Sequence, residues 1–160
     1  PLKSKYQELI HIYELDSNID FIGYIKDKDL PTYYSESDVF VLPSIKEDNG
    51  DTEGLGVVLL EANACGVPII GSNVGGIIDI INSGCNGYLF EEKNTKKIVE
   101  QILKIYNNKN NRSNMGKNGR KLVSNNFNWA IISEKIITIY KTILWILKIF
   151  YLNLLINFFL

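Results

Sequence analysis

Histidine and cysteine are nearly absent from this sequence. There is one histidine, His11, and two cysteines, Cys65 and Cys85, with no Cys-x-x-Cys and no histidine pair beside them. That scarcity excludes a zinc site, or any catalytic triad that needs a histidine other than His11. The cysteines stand beside glycines in segments that read as packed, so they are expected to be buried free thiols in a reducing compartment. His11 falls in an amphipathic segment, where a surface or packing role is expected. An excess of one charge is missing too: 17 Lys and Arg face 18 Asp and Glu, for a net charge of -1. The overall balance therefore gives no grip on nucleic acid or anionic lipid. No signal peptide opens the chain, which starts at Pro1 without a methionine and is read as part of something longer. What is present is 160 residues at 46% hydrophobic and 22% charged composition, enough for one compact domain with a core.

Along the chain, helical and strand patterns alternate. Residues 5–15, "KYQELIHIYEL", have helical spacing and lead into "NIDFIGYI", 18–25, which reads as a strand. Asp29 before "LPTYY" signals a short helix, followed by the apolar run "DVFVLPS" ended at Pro43. After a polar loop, 44–52, an apolar helix is predicted from Glu53 or Gly54, closed by Gly66. "VPIIGS", a short helix in "VGGIIDIINSG", and "NGYLFEE" follow, then helices over 94–107, 111–126 and from 128 onward, with Asn94 or Thr95 capping the first. Four short apolar strands separated by helices predict an α/β, Rossmann-like parallel sheet with helices on both faces. Such sheets bind ligands at the carboxyl ends of their strands.

Two glutamates stand out at that edge, in "NGDTEGLGVVLLEANACG", residues 49–66. On a continuous helix Glu61 would lie about 12 Å beyond Glu53 and within about 80° of its face, so both could address one elongated ligand. Glu61 is flanked by Val57, Val58, Leu59, Leu60 and Ala62, with no internal partner evident from sequence. A carboxylate so placed needs good hydrogen bonds, which the vicinal diol of a ribose would donate. Glu53 would meet hydroxyls at the other end of the ligand. Amides uncovered at Gly54 and Gly56, at a helix N-terminus, favour phosphate between them. Together these describe a nucleotide sugar. Two other readings remain open: a Glu53 that complements the helix dipole with Glu61 reaching solvent, and a calcium loop through Asn49, Asp51 and Glu53, whose twelfth position would be Leu60.

The stretch from "VLPSIKEDNGDTEGLGVVLLEANACGVPIIG" through "GYLF" resembles the retaining GT-B glycosyltransferases of glycosyltransferase family 4, also called group 1. The marks fall in register: Gly23 after an apolar run, "SDVFVLPS", the Glu-x7-Glu pair Glu53 and Glu61, then "EANACGVP". Gly75, Gly76 and Asp79 follow, then Gly84 to Leu89, and "NFNW" with Tyr140 in the closing helix. The similarity runs over about residues 5–142. It implies that Glu53 is catalytic, binding donor-sugar hydroxyls and holding charge that develops at the anomeric centre. It further implies that Gly54, Leu55 and Gly56 bind sugar and pyrophosphate through their amides, that Glu61 binds the ribose, and that Gly23 and Tyr24 lie near the base. No metal or other cofactor is implied; a UDP- or GDP-sugar is the donor substrate, its leaving diphosphate stabilised by helix dipole and cations.

What the resemblance implies for the whole is a hexosyltransferase acting on a glycan or lipid acceptor, in cell-envelope polysaccharide synthesis. An N-terminal GT-B domain outside this chain would hold the acceptor. The upstream strand, Gly-Arg turn and Lys that the family uses on the diphosphate have no counterpart here; Lys26, Lys28 and Lys46 are substitutes by position. Asn63 stands where the family more often has an apolar residue, which is expected to affect packing rather than chemistry. Residues 1–142 are thus expected to be a partial nucleotide-sugar-binding domain. Residues 143–160, "ILWILKIFYLNLLINFFL", are expected to form an apolar C-terminal helix, lying on or crossing a membrane or covering a partner domain. The expected location is the cytoplasm, with the inner face of its membrane as one option within it, and no nucleic acid is an expected partner. A noncatalytic binding or tethered scaffold role is the alternative. An epimerase of related fold is weaker, because it would need acid and base residues absent here.

Overall fold

The computed structural model describes the backbone of residues 2–159, and side chains as far as residue 150. The chain divides into two units, Pro1–Leu30 and Pro31–Leu160. In the first, α1 (Leu2–Ile12) is followed by a chain that bends back on itself. The strand expected over 18–25 does not form. A strand exists through its ladder, and among its described residues this unit holds no second strand to pair with; Ile22 and Tyr24 stand exposed.

The second unit carries a three-stranded parallel sheet in the order β1 (Phe40–Leu42), β2 (Ile69–Ser72), β3 (Gly87–Phe90). Phe40 pairs with Ile69, and Ile69 with Gly87. Around it run α2 (Leu30–Ser35), α3 (Val57–Ala64), α4 (Ile77–Ile80), α5 (Thr95–Tyr106), α6 (Lys109–Asn126) and α7 (Trp129–Phe159). Because side chains alternate along a strand, β2 faces two cores. Ile69 packs with Leu59, Ala62, Ile77 and Ile80 of α3 and α4. Ile70 packs with Tyr88, Phe90, Ile105 and Met115 on the side of α5 and α6. All four residues of β2 are buried, which is why it reads as a short buried strand with Ser72 as its one polar residue.

Local signals set several boundaries. Gly66, at φ +81, closes α3: its amide bonds to the Asn63 carbonyl at 2.9 Å, and the Val67 amide to the Ala62 carbonyl at 3.0 Å, a Schellman end. The Asn94 side chain caps α5 by accepting from the Lys97 amide at 3.0 Å. Asn63, fully buried, donates to the Val67 carbonyl at 2.9 Å and accepts from Asn86 at 2.7 Å. Asn86 also donates to the Ile80 carbonyl at 3.0 Å and accepts from the Asn82 amide at 2.8 Å. This buried amide pair joins α3, α4 and the turn before β3, and Gly119 of α6 leaves room for it. Cys65 and Cys85 are free but half-buried, not fully buried.

The separate apolar C-terminal helix expected over 143–160 is corrected. The segment continues α7, and among the described residues no helix is long and apolar enough to cross a membrane. In the part of α7 with described side chains, 129–150, Glu134, Lys135, Lys141 and Lys148 leave no 18-residue stretch with fewer than three charges. The side chains of 151–160, also in that expected tail, lie outside those described.

Candidate functional site

Parallel strands send all their carboxyl ends to one edge, where β1 runs into 43–56, β2 into 73–76 and β3 into 91–93. Two of these exits are locked together backbone to backbone. The Gly76 amide donates to the Glu53 carbonyl at 3.1 Å. A Cβ at Gly75 would run into the Glu53 carbonyl oxygen, and one at Gly76 into that of Gly54. Gly75 is also at φ +51. Further back along the loop, the Lys46 amide donates to Glu92 Oε2 at 2.8 Å.

The helix predicted from Glu53 begins only at Val57. Gly56, buried at φ +74 and hemmed in by Leu42, Leu59 and Ile77, cannot continue a helix, and residues 53–56 form a turn instead. Glu53 is half-buried and bends over this turn, its Oε1 accepting from the Gly56 amide at 3.1 Å. The rotation linking Glu53 to Glu61 on one helix therefore does not apply. The Gly56 amide, expected to face phosphate, is held by Glu53. Gly54 and Leu55 are exposed, and among the described residues their amides donate to no other group. The Asn49 and Asp51 side chains, considered for a calcium loop, bond to each other at 3.0 Å.

Glu61 lies on an exposed face of α3, and it has the internal partner that sequence did not reveal. Tyr34 of α2 donates its hydroxyl to Glu61 Oε2 at 2.9 Å. The Tyr34 ring stands edge-on to Phe40, centroids 5.5 Å apart. Burial pushes the Tyr34 hydroxyl up to about 12, helped by the hydrogen bond and charge of Glu61 and, last, by Cys65. Beside Glu61 runs an apolar groove of about 390 Å³, lined by Leu55, Val57 and Leu60 on one side and by Phe127, Trp129 and Ile132 on the other. Gly23 and Tyr24 belong to the first unit; Gly23 is at φ +75 and Tyr24 is 86% exposed.

The family model of glycosyl transferases group 1 matches residues 1–122. The chain is 37% identical over 127 residues to the capsular polysaccharide biosynthesis glycosyltransferase CapM of Staphylococcus aureus, covering 79% of this chain and 31% of that protein. It is 36% identical over 125 residues to spore coat protein SA of Bacillus subtilis, covering 78% and 32%. It thus spans about a third of the length of these curated relatives. Among solved structures, sucrose-phosphate synthase from Thermosynechococcus elongatus superposes with a TM-score of 0.77 at 30% identity, covering 88% of this chain and 34% of that one. The C-terminal domain of a glycosyl transferase group 1 family protein from Francisella tularensis superposes at 0.70 with 29% identity, covering 80% and 63%. The parallel sheet and its carboxyl-edge loops are accordingly part of a GT-B fold, and the chain belongs to the glycosyl transferases of group 1.

Proposed function

We propose that this chain is the donor-binding part of a glycosyltransferase that moves a hexose from a UDP- or GDP-sugar to a glycan or lipid acceptor with retention of configuration. The observation that carries this is the family match over a chain whose carboxyl-edge turn holds the Glu53 carboxylate and two exposed amides that donate to no other group among the described residues, with Glu61 on the helix that follows. Glu61 binds the ribose hydroxyls. The amides of Gly54 and Leu55, with the first turn of α3 behind them, meet the diphosphate, where backbone N–H groups stabilise the charge of the leaving group. Glu53, its Oε1 tied to Gly56, offers Oε2 to the donor sugar and to charge developing at its anomeric carbon. Gly56 shapes the turn. A nucleotide-sugar partner is supported by the activities of the relatives, among them a GDP-mannose-dependent mannosyltransferase of Corynebacterium glutamicum. A role in cell-envelope polysaccharide is supported by the capsular enzyme named above. The longer relatives support an acceptor-binding domain as the other wall of the cleft.

Calorimetric titration with UDP- and GDP-sugars, beside Glu61→Ala, tests this. One donor family should bind, and Glu61→Ala should weaken it by roughly tenfold or more, as expected for a charged hydrogen-bond acceptor lost from a binding site. Equal binding of every donor to both proteins would remove the ribose role.

A further inference from the structure

We propose that Tyr34 is a positioning residue for Glu61: its hydroxyl occupies Oε2 and leaves Oε1 as the acceptor for ribose hydroxyls. This rests on the nucleotide-sugar reading above. Glu61 projects from an exposed helix face, where a glutamate samples many rotamers. Among the described residues, the hydrogen bond from Tyr34 at 2.9 Å is the one given to its carboxylate. Tyr34 itself is well anchored. Its ring packs against the core that holds Leu59, Ala62 and Ile77, and it lies edge-on to Phe40 at the start of β1. The hydroxyl thus reports the position of the sheet to the carboxylate on α3. It is also a dependable donor, because its raised pKa keeps it protonated well beyond neutral pH. An O–H donor to an ionised carboxylate makes a short, strong bond. With Oε2 engaged, the ligand meets a carboxylate of fixed orientation, and a diol that presents two hydroxyls gains more from it than an analogue presenting one.

The test is Tyr34→Phe, which keeps the ring and its packing and deletes only the donor. Binding of UDP and GDP, each beside its 2′-deoxy counterpart, is measured by calorimetry on wild type, Tyr34→Phe, Glu61→Ala and the double variant. Tyr34→Phe should weaken the ribonucleotide that wild type binds by roughly five- to tenfold, the effect of one hydrogen bond. Affinity for the 2′-deoxy form should change much less, so discrimination between the two falls. In the Glu61→Ala background the same change should have no further effect. A role in packing alone would leave discrimination intact. Wild-type affinity and discrimination in Tyr34→Phe would overturn the proposal while leaving the donor-site reading standing. An undiminished loss in the Glu61→Ala background would overturn it too. Failure of wild type to bind either nucleotide would overturn both.

Discussion

Adding a methyl group to three glycines separates two costs that the site combines. Gly84 is at φ +87 with nothing near its missing Cβ, so Gly84→Ala carries left-handed strain alone, about 1–2 kcal/mol. Gly76 is at φ -78, an ordinary conformation, but its Cβ would strike the Gly54 carbonyl. Gly76→Ala therefore carries overpacking alone, about 1–3 kcal/mol. Gly75 has both, at φ +51 and against the Glu53 carbonyl, so Gly75→Ala should cost about 2–5 kcal/mol, the sum of the two. Urea denaturation gives these values from the shift in midpoint at constant slope. Function should order differently from stability. The clash in Gly75→Ala and Gly76→Ala is relieved by moving the 53–55 turn on the order of 1 Å, enough to cost up to about a hundredfold in a positioned site. Gly84→Ala should bind donor as wild type does. If Gly76→Ala were as stable as wild type and bound donor normally, the backbone contact between the two loops would not be what positions the turn.

Two other consequences can be checked. Asn86→Ala removes two buried hydrogen bonds and one partly buried, and strands the Asn63 side-chain oxygen, so unfolding measurements should show a loss of about 3–5 kcal/mol. Asn118→Ala, which deletes one exposed bond to the Cys85 carbonyl, should stay within about 0.5 kcal/mol. For Tyr34, the folded-state pKa is raised, so its contribution to stability is full below the ordinary tyrosine value and is lost as pH rises through about 12. Because the group is partly solvent-exposed, that contribution is discounted to under about 1 kcal/mol. Wild type and Tyr34→Phe should show equal tyrosinate absorbance up to about pH 10.5, whereas an extra tyrosinate in wild type near pH 10 would contradict the shift.

How much was legible in the sequence follows the range of each interaction. Gly66 and Asn94 announced the ends of their helices because caps act within a few residues. The central strand was legible because burial on both faces leaves Ser72 as its one polar position. The start of α3 was misplaced because "EGLG" has helix-compatible neighbours, and only the left-handed Gly56 with its crowded surroundings stops the helix there. The segment 18–25 has strand-like residues but no ladder partner, and composition cannot supply one. Tyr34 was missed as the partner of Glu61 because their contact depends on how α2 and α3 flank β1, which no local pattern encodes. Asn63 was read as a packing substitution; its amide proves to be one half of a buried hydrogen-bonded pair.

The loop that leaves β1 is pinned at two points, Lys46 on Glu92 and Glu53 on Gly76. Between them the chain turns on its own hydrogen bonds, the Glu47 amide to the Asp51 carbonyl and the Gly50 amide to the Glu47 carbonyl, with every residue exposed. Residues 47–51 can therefore be lengthened, shortened or replaced without transmitting the change to Glu53. That makes this turn a graft site: a longer loop or an added cation installed there would alter the rim of the carboxyl-edge turn while the Glu53 carboxylate keeps its place.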